Sequence, residues 1–330
     1  MSVQEYKQQL FDAIQNLLWR QWTALGIPGH ITVPDSEIIL DPEALLIFSA
    51  GFARYDQRLY DLILDWLQIH SPQINIQRLK ALYAKAEWKD SASLGYMAAV
   101  TAETSPGRWK KPADDYTAKD ISAPVALFRD AEDKPEEFIP KNDPLALHCG
   151  FLRNHRRYSG KIPLEFPQNT ASLLLRMRGI LGISARVETI LVLLTSGTCK
   201  IQNIVDRSGF CWKSIQDVLG ELTAGNFVRS INGITKGKQY YLNNPEKLLQ
   251  FFDIHTPVFA SWTNIYDSLG QLWQTCSNPT LAEVSEATFQ NELKNLYHDR
   301  ILPKQVDSYH PAFQKTGMDL MNLPKIIPNL

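Results

Sequence analysis

The residues of this chain that could do chemistry are basic and polar side chains between positions 153 and 238, rather than a catalytic constellation. The sequence contains no GxxxxGK(S/T) phosphate loop, GxGxxG turn, GxSxG nucleophile elbow, HExxH zinc motif or EF-hand loop. Acid pairs such as Asp114-Asp115 and Glu136-Glu137 lie in a proline-rich stretch, where we interpret them as solvated charge. We therefore predict no catalytic residues, and an enzyme without a recognisable motif is the least favoured alternative.

Cysteine and histidine spacing gives no metal site. The four cysteines, at 149, 199, 211 and 276, form neither a CxxC motif nor two pairs with the spacing of zinc ligands, and the seven histidines are scattered. A disulfide scaffold is not expected in a chain of 330 residues with so few thiols. We predict reduced cysteines, no bound metal and no cofactor.

Charge is unevenly distributed along the chain. The whole sequence has 34 Lys and Arg against 35 Asp and Glu, a net charge of -1. Residues 145–240 contain 13 basic and five acidic residues, a net charge of +8, which leaves -9 for the rest. A basic segment in an acidic chain favours contact with a polyanion, although chance clustering on a solvated surface is the alternative.

The elements that would position these basic residues begin at Ser184. Apolar residues at three- and four-residue steps predict three helices, separated by Gly197 and by a tight turn at Gly209. The third helix runs from Trp212 to Ala224, and its inward face contains Ile215, Val218, Leu219 and Leu222. Two predicted strands, 227–231 and 239–243, follow with a loop rich in glycine and lysine between them.

Together these segments resemble the winged helix-turn-helix domains of bacterial transcription factors. The resemblance covers about residues 182–245, through ARVETILVLLTSG, IQNIVDRSGFCWKSIQDVLGELTAGNFV and the hairpin RSINGITKGKQYYL. It implies a DNA-binding transcriptional regulator whose third helix enters the major groove of duplex DNA. Cys211 departs from the pattern, because such domains usually have a serine or threonine N-cap there.

Outward residues of the third helix would read the DNA. Lys213 could contact phosphate or guanine and Gln216 could contact adenine, while Asp217 disfavours phosphate. The predicted DNA-binding residues, of which the last three form a basic patch before the first helix, are Lys200, Arg207, Trp212, Lys213, Ser214, Gln216, Arg229, Lys236, Lys238, Arg153, Arg156 and Arg157. The alternative is a protein-interaction adaptor that uses the winged-helix fold without DNA and has Trp212 as its interface anchor.

The chain as a whole is predicted to be mainly α, with a small β-hairpin wing. Residues 1–103 form a helical N-terminal domain, for which a simple bundle is favoured over a second helix-turn-helix. Residues 104–172 form an acidic, proline-rich linker, with at most one short strand near 125–128, followed by the basic patch. The winged helix occupies 173–245, and a helical C-terminal region occupies 246–330.

Helices after residue 256 are rich in Trp and Tyr. They form either a homodimer surface or a layer packed back onto the N-terminal domain. The predicted partners are therefore double-stranded DNA and a second copy of the chain, with a small-molecule or protein effector left open. With 44% hydrophobic residues the protein is globular, and its longest apolar run is about half the length that spans a bilayer, so we expect a cytoplasmic protein and no membrane.

Overall fold

The computed structural model describes residues 2–29, 36–117, 123–135, 142–232, 237–281, 284–301 and 320–327. The chain is mainly helical, as predicted. Its buried apolar residues form two cores, one built from both ends of the chain and the other from the middle.

Helices and short strands alternate irregularly along the chain. The α-helices are α1 (Val3–Ala24), α2 (Pro42–Phe52), α3 (Gln57–His70), α4 (Ile76–Lys85), α5 (Ser91–Thr104), α6 (Pro106–Tyr116), α7 (Pro144–His148), α8 (Leu173–Leu181), α9 (Ala185–Ser196), α10 (Ile201–Ser208), α11 (Trp212–Ala224), α12 (Pro245–Phe252), α13 (Trp262–Cys276), α14 (Glu286–Leu296) and α15 (Leu323–Ile326). The strands are β1 (Ile38–Ile39), β2 (Val125–Ala126), β3 (Phe151–Leu152), β4 (Cys199–Lys200), β5 (Val228–Asn232), β6 (Lys238–Leu242) and β7 (Val258–Phe259). Single turns of 3-10 helix cover Ala53–Tyr55, Ser71–Gln73, Pro279–Leu281 and Leu320–Asn322, and a π turn covers Tyr297–Ile301.

Polar N-caps start the N-terminal helices. Asp41, Asp56 and Asn75 each accept hydrogen bonds from backbone N–H groups in the first turns of α2, α3 and α4. Pro42 occupies the first helical position after Asp41, where no intrahelical N–H bond is needed.

Residues 106–116 and 144–148, within the region predicted as a linker, are helical, so the prediction of a linker with at most one short strand is wrong for these residues. Residues Pro106–Tyr116 form α6, which packs against α5 and buries Trp109 completely. Farther along, β2 pairs in parallel with β3. Proline enrichment was misleading because Pro106 and Pro144 occupy the first position of a helix, where proline is favoured.

The second core contains the helices and hairpin predicted after Ser184. Helices α8 to α12 surround an antiparallel sheet of order β4-β6-β5, in which Val228 pairs with Leu242 and Asn232 with Lys238. The strand β4, which the sequence did not predict, lies between α9 and α10 and pairs with β6. The predicted elements therefore follow one another in the expected order, with hairpin strands shifted by one residue.

Helix α13 returns to the N-terminal helices. Its Trp262, Tyr266 and Trp273 are at most 3% exposed, and the helix packs on α1 and α2. Two hydrogen bonds support this packing. Trp262 Nε1 donates to the carbonyl of Ile39 at 2.7 Å, and the Tyr266 hydroxyl donates to Gln21 Oε1 at 2.8 Å. Of the two alternatives for the aromatic C-terminal helices, packing back onto the N-terminal helices is observed for α13.

Candidate functional site

Helix α11 presents the face that its periodicity predicted. Ile215, Leu219 and Leu222 are buried in the second core, whereas Trp212 is 47% exposed and Lys213, Gln216 and Asp217 are exposed. The inward and outward sides of α11 were therefore assigned correctly. An exposed tryptophan in the first turn of a helix leaves a large apolar surface in water, which is a feature of binding surfaces.

Charges on the exposed side of α11 are paired locally. Lys213 Nζ lies 2.8 Å from Asp217 Oδ1 one turn later, and this carboxylate raises the pKa of Lys213 through their hydrogen bond. Glu221 is paired with Arg186 of α9 at 2.5 Å. Both pairs are solvent-exposed and screened by salt, so Lys213 can exchange Asp217 for another anion at little cost.

The thiol of Cys211 precedes α11 and is exposed. Its Sγ lies 3.2 Å from the hydroxyl oxygen of Ser214, which is half-buried. Hydrogen bonding from the Ser214 side chain is the largest cause of a lowered pKa at Cys211. The predicted DNA-binding residue Ser214 thus contacts Cys211, the residue that precedes its own helix.

Basic residues of the hairpin lie at its surface. Arg229 on β5 and Lys238 on β6 are exposed, and Lys200 at the end of β4 is half-buried. Lys236 lies outside the described residues. The sheet therefore carries two exposed cations, on β5 and β6, and a third, half-buried cation on β4, the strand that joins α9 to α10.

Arg207 occupies a different environment from the other predicted residues. It is half-buried in α10, and its Nη1 donates to the Ser196 hydroxyl at the end of α9 at 2.6 Å. Its side chain lines a cavity between α4, α10 and the start of α13 rather than the exposed side of α11.

The basic patch predicted before the first helix does not form. Arg153, with a side chain 1% exposed, pairs with Asp61 of α3 at 2.8 Å, and Arg156 pairs with Asp65. Arg157 alone is exposed. Two of the three arginines therefore serve packing on α3, because a buried guanidinium needs a carboxylate partner to offset its lost hydration.

Sequence reasoning also missed a buried ionic network that joins the two cores. Arg178 of α8 donates to both carboxylate oxygens of Glu43 at 2.6 and 3.0 Å and to Glu188 at 2.6 Å. Arg78 of α4 shares Glu43 with it, at 2.7 Å. Opposite charges on α2, α4, α8 and α9 thus meet out of contact with water.

Arg78 extends this network to the turn before α11. It forms two bonds to Asp41, of 2.6 and 2.5 Å, and its Nε donates to the carbonyl of Ser208, the last residue of α10, at 3.2 Å. Burial by itself would raise the pKa of Asp41, but the charge and hydrogen bonds of Arg78 more than offset this, and the pKa lies below its usual value. In the sequence, Asp41-Pro42-Glu43 indicates a helix start but no partner for either carboxylate.

Part of the sequence charge asymmetry is explained by these contacts. Arg153, Arg156 and Arg178, all counted in the +8 of residues 145–240, neutralise carboxylates of the acidic N-terminal helices. Part of the positive charge of residues 145–240 is therefore balanced by carboxylates elsewhere in the same chain.

Across the part of the chain that the structure describes, no group of three or more His, Cys, Asp and Glu side chains is arranged to hold a metal ion. Among the same residues, no helix combines the length and apolar character needed to cross a bilayer. Comparison with known proteins gives no match for this chain among family models, curated proteins or solved structures.

Proposed function

We propose that residues 173–245 are a winged helix that binds duplex DNA, and that the protein is a transcriptional regulator. The observation that carries the proposal is the order of elements in the second core. Helix α11 follows the short α10 across the left-handed Gly209, and the antiparallel β5 and β6 follow α11, with β4 as the third strand. In this architecture the helix after the turn enters the major groove, and the hairpin reaches the DNA backbone.

In the proposed complex, α11 reads bases and the hairpin contacts phosphates. Lys213 and Gln216 are both exposed on the same side of α11, where the Gln216 amide suits an adenine edge and the Lys213 ammonium suits a guanine edge or a phosphate. Lys200, Arg229 and Lys238 supply phosphate contacts. Because Arg153 and Arg156 are paired with α3 carboxylates, they are left out of this interface.

The number of available cations sets the expected salt dependence. Four described side chains, Lys200, Lys213, Arg229 and Lys238, give a log-log slope of roughly -3 to -4 at about -0.9 for each phosphate contact. The slope is the direct measure of a polyanion interface, and a protein-binding surface does not produce it.

The test is fluorescence anisotropy of a labelled mixed-sequence duplex over a range of salt concentrations. Lys213→Ala combined with Lys238→Ala should weaken binding and flatten the slope by about two units. Lys111→Ala is a matched control, because Lys111 also forms an exposed ion pair with an aspartate four residues later, on α6. Equal slopes for the double variant and the wild type would contradict the proposal.

A second candidate function is a protein-interaction adaptor with the same fold. It is favoured by the exposed apolar side chains around the proposed DNA-binding surface, with Trp212 at 47%, Ile231 at 46% and Phe227 at 40%. The local pairing of Lys213 with Asp217 also lowers the positive potential of α11. Absence of DNA binding at low salt in the same titration would favour this candidate.

We also propose that the regulator is a homodimer, since two-fold symmetric proteins read paired half-sites about one helical turn apart. The dimer would use a surface other than the buried side of α13. Light scattering at micromolar concentration should give twice the mass of one chain, and a monomer that stays monomeric on DNA would contradict this.

A further inference from the structure

A cavity of about 390 Å³ lies where the two cores meet, between α4, α10 and the start of α13. Its volume is in the range of pockets that bind small molecules, and it lies apart from the exposed side of α11. Its lining contains polar side chains together with the aromatic rings of Phe259 and Trp262. The position between two packed units is one where ligand sites are common.

Two cations in the lining have no carboxylate partner within the described part of the chain. Lys85, at the end of α4, forms no ion pair there, and Arg207 of α10 donates to the neutral hydroxyl of Ser196. A guanidinium at a cavity wall presents further N–H donors in a planar fork that matches a carboxylate or phosphate. These two side chains therefore favour an anionic ligand.

Carboxylates of the lining are engaged by donors of the protein itself. Asp41 is held by Arg78, Glu87 Oε2 accepts from the Gln271 amide, Asp206 Oδ1 accepts from Gln202 at 2.8 Å, and Asp267 Oδ1 accepts from the backbone N–H groups of Glu87 and Trp88 at 2.9 and 3.0 Å. Each of the four carboxylates thus has an oxygen engaged within the protein, and Asp41 is paired with the cation Arg78, whereas neither Lys85 nor Arg207 pairs with a carboxylate among the described residues.

The start of α13, which lines the cavity together with α4 and α10, adds positive electrostatic potential. Residues 262–264 form its first turn and line the cavity, and the Ser261 side chain does not cap them. The N-terminal end of a 15-residue helix carries a partial positive charge. The cations and the helix therefore act in the same direction.

We propose that this cavity binds a small molecule that carries a carboxylate or phosphate group, with the anionic group held by Arg207 and Lys85 beside the start of α13. Arg207, which is predicted from the sequence as a DNA-binding residue, then serves an effector site. We expect ligand binding at this site to be coupled to DNA binding, an expectation that rests on the proposed function. Asn203, Asp206 and Arg207 of α10 line the cavity, and Arg78, which also lines it, donates to the carbonyl of Ser208 before α11.

The binding test uses inorganic phosphate and succinate as probes, each titrated calorimetrically into the full-length protein without DNA at constant ionic strength. At least one probe should bind saturably. Arg207→Gln should weaken that binding about tenfold, since a charge-assisted bidentate contact is lost, and Lys85→Gln should weaken it as well. The preferred probe distinguishes a phosphate ligand from a carboxylate ligand.

Two further variants test whether the charge of the lining determines probe binding. Asp206→Asn should strengthen binding, because it removes a negative charge from the lining, and Lys111→Gln on α6 should leave it unchanged. Failure of both probes to bind the wild type, or equal binding by wild type and Arg207→Gln, would overturn the proposal.

Coupling is tested separately by measuring duplex affinity with and without a saturating concentration of the bound probe. A change of at least threefold in the wild type, absent in Arg207→Gln, is expected. Probe binding without a change in DNA affinity would retain the site and reject the coupling. A protein that binds the probe but no DNA would retain the site and reject the proposed regulator.

Discussion

The guanidinium of Arg178 lies against the carboxylate of Glu43, 135 residues earlier in the chain, with nitrogen-to-oxygen distances of 2.6 and 3.0 Å and no solvent exposure of either side chain. This contact joins α8 of the second core to α2 of the first. Desolvation makes such a pair costly to form, so its net contribution to stability is small while both partners remain. Removal of only one of the two partners, in contrast, leaves a buried charge without its counter-ion.

Arg178→Met should therefore lower the free energy of unfolding by roughly 3–5 kcal/mol, because Glu188 and Glu43 lose a buried cationic partner. The matched control is Arg186→Met, which breaks the exposed pair with Glu221 and should cost less than about 1 kcal/mol. Urea unfolding followed by circular dichroism measures both. Equal losses in the two variants would mean that the buried network is not what connects the cores.

The sequence predicted those features that depend on neighbouring residues. The inward side of α11 follows from apolar residues at spacings of three and four. Partners of Arg153 and Arg156 could not be predicted, since Asp61 and Asp65 lie about 90 residues away, and the patch was assigned to the surface by default. The ionic network and the cavity of Arg207 are missed for the same reason, because each is assembled from helices far apart in the chain.

Substitution by alanine at two helical glycines should change the free energy of unfolding in opposite directions. A Cβ at Gly95 of α5 would lie 2.8 Å from the backbone nitrogen of Thr117, so Gly95→Ala should destabilise the protein by about 1–3 kcal/mol. A Cβ at Gly220 of α11 meets nothing within 4 Å, and Gly220→Ala should stabilise by up to about 1 kcal/mol through helix propensity. Thermal unfolding of both variants decides this. Stabilisation by alanine at both positions would show that α5 and the end of α6 are less closely packed than described.

Stability should fall as the pH drops below about 6.5 because of His70. Burial lowers the pKa of His70 below its usual value, and its Nε2 donates to the carbonyl of Pro163 at 2.9 Å. The unfolded chain therefore takes up a proton at a higher pH than the folded protein does, which favours unfolding from pH 6.5 downward to the lowered pKa. In His70→Gln the unfolding free energy should vary less between pH 7 and 5 than in the wild type, whatever its absolute value. Parallel pH profiles for the two proteins would assign the dependence to other groups.

Trp212 separates the two proposed functions. Its side chain is 47% exposed, whereas Trp262 is 1% exposed and donates to the Ile39 carbonyl. Trp212→Ser should leave the unfolding free energy nearly unchanged, since the inward side of α11 is intact, and Trp262→Ser should lower it by roughly 3–5 kcal/mol.

With the fold of Trp212→Ser intact, its binding identifies the partner. In a DNA-binding regulator the indole stacks on a sugar or base at the start of the groove-facing helix, so the variant should lose about tenfold in duplex affinity, at the lower end of the roughly 1–3 kcal/mol that stacking contributes, without a change in oligomeric state. In an adaptor neither the wild type nor the variant binds DNA, and the tryptophan is the anchor of a protein contact. Unchanged duplex affinity in the variant would place Trp212 outside the DNA interface and leave Lys213, Gln216 and the hairpin cations to carry it.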